Sequence, residues 1–264
     1  MKRDLEQLAR ERFDLVVVGG GIFGVCTAWE AVTRGLKVAL IERTDFGHAT
    51  SANCFKVIHG GVRYMQHGDI ARVRSSVKER SVLLKIAPHL ARPLPIVIPT
   101  YGHGKQGRAF LHAGMTAYDL VTADRNRSIS DPARKIPGHR LLGRDEILHD
   151  YPWLSHDNDE DAGSGPLTGG VLFYDGQMVS PERLALAFLR SAADAGACVA
   201  NYLKAEGFVR ANDRIQGVRV KDELSGDCFE IHAQTTVNAA GPWAEKLLSD
   251  SGEQLALRQP STFS

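Results

Sequence analysis

FDLVVVGGGIFGVCTAWEAVTRGLKVALIE, residues 13–42, is the stretch that decides the fold. Leu15 to Val18 is a short β-branched apolar run, which reads as a buried parallel strand. Gly19, Gly21 and Gly24 follow in the order G-x-G-x-x-G, with Gly20 between the first two. An apolar helix closed by Gly35 comes next, then a second strand, Val38 to Ile41, ending in Glu42. Strand, glycine turn, helix and strand at this spacing make the βαβ unit of a dinucleotide-binding domain. Gly19 permits a tight turn off the strand, Gly21 lets backbone approach a pyrophosphate, and Gly24 lets the helix pack closely. The pyrophosphate is expected at the helix N-terminus, where free N–H groups and the helix dipole favour negative charge. Glu42 is placed to accept hydrogen bonds from ribose hydroxyls. Arg43 suggests the 2′-phosphate of NADP, but the carboxylate beside it opposes that charge. The alternative is a glycine-rich loop of some other α/β protein.

The rest of the composition narrows the class. The chain has 264 residues, 43% hydrophobic and 24% charged, within the range of globular proteins and unlike a disordered chain. A net charge of +1 offers no electrostatic case for nucleic acid or an anionic membrane surface. Cys26, Cys54, Cys198 and Cys228 are far apart and form no C-x-x-C, so no metal site is expected and a reducing cytoplasm suits them. The charged start MKRDLEQLARERFD contains acidic residues, unlike a signal peptide. No apolar run is long enough to span a membrane. The expected location is cytoplasmic, with peripheral attachment to the inner face of a membrane left open.

After Glu42 the chain reads ERTDFGHATSANCFKVIHGGVRYMQHGD. Thr50 and Ser51 can cap a helix or bond a phosphate. Phe55, Val57 and Ile58 suggest a short buried helix, stopped by His59-Gly60-Gly61. That glycine pair is either ordinary helix-ending chemistry or bare backbone against which a flat ring can lie. Arg63 and Tyr64 follow, a cation and a phenol beside the glycine gap.

The pattern Thr50, Ser51, Lys56, Ile58, His59, Gly60, Gly61, Arg63, Tyr64 resembles the FAD-dependent glycerol-3-phosphate dehydrogenases, part of a wider D-amino-acid oxidase-like flavoprotein group. KIAPHLARPLPIVIP at 85–99, YDGQMVSPERL at 174–184 and VNAAGPWAEKL at 237–247 also resemble that family. The resemblance implies FAD as cofactor and oxidation of sn-glycerol 3-phosphate to dihydroxyacetone phosphate, with a quinone or oxygen reoxidising the flavin. It implies that Arg63 holds the phosphate, Tyr64 bonds substrate and His59 stands near the flavin as proton acceptor. It places Gly60, Gly61 and Gly241 against the cofactor with Gly19, Gly20, Gly21, Gly24, Glu42, Arg43, Thr50 and Ser51. Two departures stand out. Ala52, Asn53, Cys54 and Phe55 replace a serine-rich run. Family members are also longer, carrying a further substrate arginine and a flavin-covering loop that are absent from this sequence. The alternatives are therefore a truncated, non-catalytic FAD-binding chain, or an oxidase of another alcohol or amine on the same scaffold.

The fold class expected is α/β: a Rossmann-like FAD-binding domain with a parallel sheet and β-meander, plus an inserted α+β layer on the substrate side. The expected division is 1–90, first part of the FAD-binding domain; 91–170, the insertion; 171–250, its second part; and 251–264, an unassigned tail. Residues 69–90 read as an amphipathic helix on Ile70, Val73, Val77 and Leu84, with Arg72, Arg74, Lys78 and Arg80 facing water. PLPIVIPTY, 93–101, suggests an edge strand, Gly104 to Gly107 a loop, and Ala109 to Ala123 a helix. One short helix is expected near Arg144 to Asp150. Gly170 to Asp175 reads as a strand with Tyr174 and Asp175 at its end. A helix capped by Ser180 runs to about Ala195. Cys198 to Leu203 is a parallel strand. A meander follows over 207–210, 215–220 and 228–233, turning at Asn212-Asp213, before Thr235 to Ala239 returns to the parallel sheet. The histidines at 103, 112, 139, 149 and 156 read as surface or loop residues.

Overall fold

The computed structural model describes residues 1–102, 104, 107–155, 166–212 and 214–250. The chain forms two compact units, one of Met1–Phe55 with the chain from Ser180 onward, the other of Lys56–Val179. The segment 91–170 falls wholly inside the second unit, which also takes in 56–90 and 171–179, both expected in the FAD-binding domain.

The first unit is built on a six-stranded sheet. Its strands are β1 (Arg12–Val18), β2 (Val38–Ile41), β7 (Cys198–Ala200), β8 (Leu203–Ala211), β9 (Arg214–Asp222) and β10 (Cys228–Asn238). The order is β7-β2-β1-β10-β9-β8, with β7, β2, β1 and the second half of β10 parallel. Alternate residues of these strands feed opposite faces, as the pleat requires. Leu15, Val17, Val38 and Leu40 pack with Val25, Ala28 and Val32 of helix α2 (Ile22–Thr33) and Leu189 of helix α7 (Pro181–Asp194). Val16, Val18, Ala39 and Ile41 pack on the other face with Leu8 of helix α1 (Leu5–Arg10) and Leu247 of helix α8 (Ala244–Asp250). Burial on both faces explains why the parallel strands read as unbroken apolar runs. Ser180 caps α7, its hydroxyl accepting from Arg183 N at 3.2 Å.

The meander is present, but its last strand differs from expectation. The segments expected over 228–233 and 235–239 form one strand, β10, ending at Asn238, that changes partner along its length. His232 still faces antiparallel β9, while Leu15 of parallel β1 already faces Thr235. Of the expected turn at 212–213, Asp213 lies outside the described residues.

The second unit holds an antiparallel sheet of β3 (Val57–Ile58), β4 (Ala91–Tyr101), β5 (Arg140–Gly143) and β6 (Leu167–Met178), with β6 pairing all three others. β4 is an edge strand, as its prolines demand. The helices are α3 (Val62–Met65), α4 (Ile70–Ile86), α5 (Arg108–Val121) and α6 (Arg144–Asp150). Val73 and Val77 of α4, Met115 and Tyr118 of α5, and Val171 and Phe173 of β6 form its main core.

The structure corrects several readings. The buried helix expected over Phe55 to Ile58 is strand β3, with Phe55 exposed, because Val57 and Ile58 pair with Gln177 and Gly176. The glycine pair therefore starts a helix instead of stopping one: Gly61, at φ +79°, precedes α3. Arg80 does not face water. It is fully buried, for a reason found in the site below. Asp175 likewise lies inside β6, not at the end of a strand. Of the histidines read as surface or loop residues, His103 and His156 lie outside the described residues. Another, His139, is mostly covered and bonds Asp119 at 2.7 Å.

Candidate functional site

In the first unit the predicted cofactor residues gather at the carboxyl ends of β1, β2 and β10. Gly19 turns off β1 at φ +112°, its N–H donating to Ile41 O at 2.8 Å; a Cβ there would collide with Ala239 O. Gly20 N donates to Glu42 Oε2 at 2.7 Å, and a Cβ on Gly20 would lie 2.6 Å from Phe46 Cδ1. Gly24 leaves room for Gly19 O, so its bare Cα serves contact between turn and helix more than helix and sheet. Gly21 is the N-cap of α2 and has no side chain to cap it; Ser51 supplies the acceptor, Oγ receiving Ile22 N at 2.9 Å. Ser51 closes a 3₁₀ turn, Ala49–Ser51, that also holds Thr50, exposed to solvent. Ala49 opens that turn in the left-handed region at φ +66°, a conformation that costs a non-glycine residue about 1–2 kcal/mol.

Glu42 is more committed than the sequence implies. Its Oε1 accepts from Thr44 N at 2.9 Å and Thr44 Oγ1 at 3.0 Å, besides the Gly20 bond to Oε2. A carboxylate has roughly four acceptor sites, so about one is left for a ribose hydroxyl. Arg43 stacks over Trp243, its Cζ 4.1 Å from the ring centroid. That contact ties the end of β2 to the 3₁₀ turn Gly241–Trp243, which Gly241 opens at φ +56°. The site fits a dinucleotide: a glycine turn without Cβ atoms faces a helix N-terminus, and an acceptor with spare capacity ends the next strand.

In the second unit the His59–Tyr64 segment sits on a buried polar network. Lys56, at φ +60°, leads into β3, and its carbonyl accepts Met178 N at 2.8 Å. Gly60 N donates to Asp175 Oδ1 at 2.6 Å, and Gly60 O accepts from Tyr118 OH at 2.9 Å. Arg80 Nη1 donates to the same Asp175 Oδ1 at 2.6 Å. A Cβ on Gly60 would collide with Arg80 Nη1 and Tyr118 OH and lie 2.6 Å from Arg80 Cζ, so this glycine has a packing reason within the unit. Burial, opposed by the Arg80 charge, pushes the Tyr118 phenol above its ordinary range and keeps it a donor. His59 Nδ1 stands 3.5 Å from Asp175 Oδ2, with the imidazole 67% exposed.

Arg63 is exposed on α3, and its guanidinium has no ion pair or hydrogen bond among the described residues. Asp69, the next acid along the chain, instead caps α4 at Arg72 N, 3.0 Å, and pairs with Arg72. Tyr64 is half-buried beneath Arg72, whose Cζ is 5.0 Å from the ring centroid. Sequence reasoning missed Arg80, Tyr118 and the role of Asp175. The signal for Arg80 was present. Val73, Val77, Arg80 and Leu84 keep one helical face, and an arginine on a buried stripe requires a buried carboxylate.

Among the described residues no cluster of histidine, cysteine or carboxylate side chains could hold a metal, and no helix is long and apolar enough to cross a membrane. The sequence profile of a family described as "FAD dependent oxidoreductase" matches residues 14–262. A Synechocystis protein named glycerol-3-phosphate dehydrogenase is 35% identical, over 97% of this chain and 44% of its own length. The human mitochondrial glycerol-3-phosphate dehydrogenase is 36% identical, over 94% of this chain and 33% of its own length. The chain thus spans less than half the length of these curated relatives. Among solved structures, the Bacillus halodurans glycerol-3-phosphate dehydrogenase complexed with FAD superposes with a TM-score of 0.66 at 27% identity, over 92% of this chain and 37% of that one.

Proposed function

The chain belongs to the family of FAD-dependent oxidoreductases, and from that premise we propose that it oxidises the C2 alcohol of sn-glycerol 3-phosphate to the ketone of dihydroxyacetone phosphate. FAD is its dinucleotide. The observation that carries the substrate reading is Arg63, a guanidinium without a partner among the described residues, in the segment that also bears His59 and Tyr64. A guanidinium fork matches the oxygens of a phosphate ester.

In this reading the Gly19–Gly24 turn and the N-terminus of α2 hold the pyrophosphate. Glu42 gives its remaining acceptor site to the ribose. Thr50, Ser51, Arg43 and Gly241 complete the cofactor set, and Gly60 and Gly61 supply backbone beside His59. A bound FAD supplies the acceptor for the hydride that leaves C2, and a quinone or oxygen takes the electrons onward. Arg63 anchors the phosphate, Tyr64 donates a hydrogen bond to the substrate, and His59 takes the proton of the C2 hydroxyl as its carbon is oxidised.

Arg63→Lys and Arg63→Ala test the reading. Both should raise the KM for glycerol 3-phosphate, Ala more than Lys, with flavin content unchanged. Equal loss of activity toward glycerol and glycerol 3-phosphate in Arg63→Ala would make Arg63 a structural residue and defeat the proposal.

A further inference from the structure

The Arg80–Asp175 pair is a poor device for stability. Both side chains are almost wholly buried, and a buried ion pair contributes little over apolar side chains of similar volume. Its geometry is also incomplete: Arg80 reaches Asp175 through Nη1 alone, and its Nε and Nη2 have no hydrogen-bond partner. What the pair does achieve is an unequal division of the two carboxylate oxygens. Oδ1 receives Arg80 Nη1 and Gly60 N, both at 2.6 Å. Oδ2 faces His59 Nδ1 at 3.5 Å.

We propose that Asp175 is a positioning residue for His59, holding its imidazole in the Nδ1–H tautomer so that Nε2 presents a lone pair. This rests on the reading that His59 accepts the alcohol proton. A carboxylate has no proton to give, so the ring nitrogen beside it must be the one that carries hydrogen. Free histidine prefers the other tautomer, with hydrogen on Nε2, which cannot accept a proton there. Two donors hold Oδ1 in place, Arg80 sets its guanidinium against the carboxylate, and Tyr118 fixes Gly60 from the other side. Hydrogen bonds of this kind are often long before substrate binds and tighten in the complex, which suits the 3.5 Å separation.

Asp175→Asn gives a directional test. Because two donors converge on the Oδ1 position, the amide oxygen must occupy it, and the NH2 group then faces His59. Nδ1 is forced to accept and the proton moves to Nε2. Long-range proton–nitrogen correlation spectra of the 264-residue chain, at mildly alkaline pH where histidine is neutral, report the tautomer; His59→Gln identifies the signals. The expected result is mainly Nδ1–H in the native chain and mainly Nε2–H in Asp175→Asn. If the lone variant does not fold, Arg80→Met/Asp175→Asn removes both charges, retains the Gly60 donor, and should show the same reversal. A native His59 mainly in the Nε2–H form, or an unchanged tautomer in the folded variant, overturns the proposal. In a catalytically active form of the protein, kcat should fall roughly 10²–10⁴-fold in Asp175→Asn with little change in KM. A reversed tautomer with kcat unchanged, and His59→Gln equally active, would leave the positioning intact and refute His59 as the base.

Discussion

Gly60→Ala tests whether the segment carrying His59 is held by packing within its own unit. The added Cβ would overlap Arg80 Nη1 and Tyr118 OH and stand 2.6 Å from Arg80 Cζ. Neither neighbour can swing aside freely, since Arg80 is fully buried and bonded to Asp175. Overpacking of this kind costs about 1–3 kcal/mol. Displacing Tyr118 from Gly60 O adds roughly 0.5–1.5 kcal/mol. Lower entropy of the unfolded chain returns about 0.4–1 kcal/mol. The expected net loss is therefore about 0.5–4 kcal/mol, against the roughly 5–15 kcal/mol typical of a domain. Gly68 in the same unit is the control: it has φ +68° and nothing within 4 Å of its Cβ position, so Gly68→Ala meets only conformational strain. Urea unfolding followed by fluorescence gives both midpoints. Gly60→Ala should lower the midpoint with an unchanged slope, and chemical shifts of His59 and Tyr118 should move. In Gly68→Ala, neither set of shifts should change. A Gly60→Ala chain as stable as the native one, with both sets of shifts unmoved, would refute the packing argument.

Glu42→Ala strips the acceptor from Gly20 N, Thr44 N and Thr44 Oγ1. It should lower stability by about 1–3 kcal/mol and also reduce flavin retained after gel filtration; loss of neither would remove Glu42 from the site. Tyr118→Phe tests the buried phenol. Burial raises its folded value above the ordinary 10.0, so its contribution is complete below the unfolded value and is lost as pH rises through the folded one. Alkaline absorbance titration should show one late tyrosine that Tyr118→Phe removes, and an unchanged titration curve would count against the burial. Cys198 is buried, and desolvation pushes its thiol up to about 11. Cys228 is exposed, so a thiol reagent at neutral pH should label it quickly and Cys198 only on unfolding; rapid labelling of Cys198 would contradict the packing of β7 against α1.

The parts of the fold visible in the sequence are those set by local pattern. β1, the glycine turn, α2 and β2 lie in one continuous segment, and within it Gly24 makes room for Gly19 O and Gly20 for Phe46 and Glu42. The short helix Arg144–Asp150 and the Ser180 cap were legible for the same reason. What was misread depends on distant pairing. Val57 and Ile58 have apolar character suited to either state, and only β6, far along the chain, makes them a strand. β10 looked like two strands because its partner changes midway. Residue type alone points Arg80 to water, but its helical position puts it on the buried stripe. Glu42 was read correctly as the acid ending the second strand, but its bonds to Gly20 and Thr44 belong to a loop geometry that spacing alone does not express.

The central claim is that this chain serves oxidation of glycerol 3-phosphate through FAD. Anaerobic addition of sn-glycerol 3-phosphate to the flavin-loaded protein, taken as the longest in-frame product of its coding region, tests that directly. The account predicts bleaching of the visible flavin bands by glycerol 3-phosphate and far weaker bleaching by glycerol at the same concentration. Flavin bands that dithionite reduces but glycerol 3-phosphate leaves unchanged would contradict it.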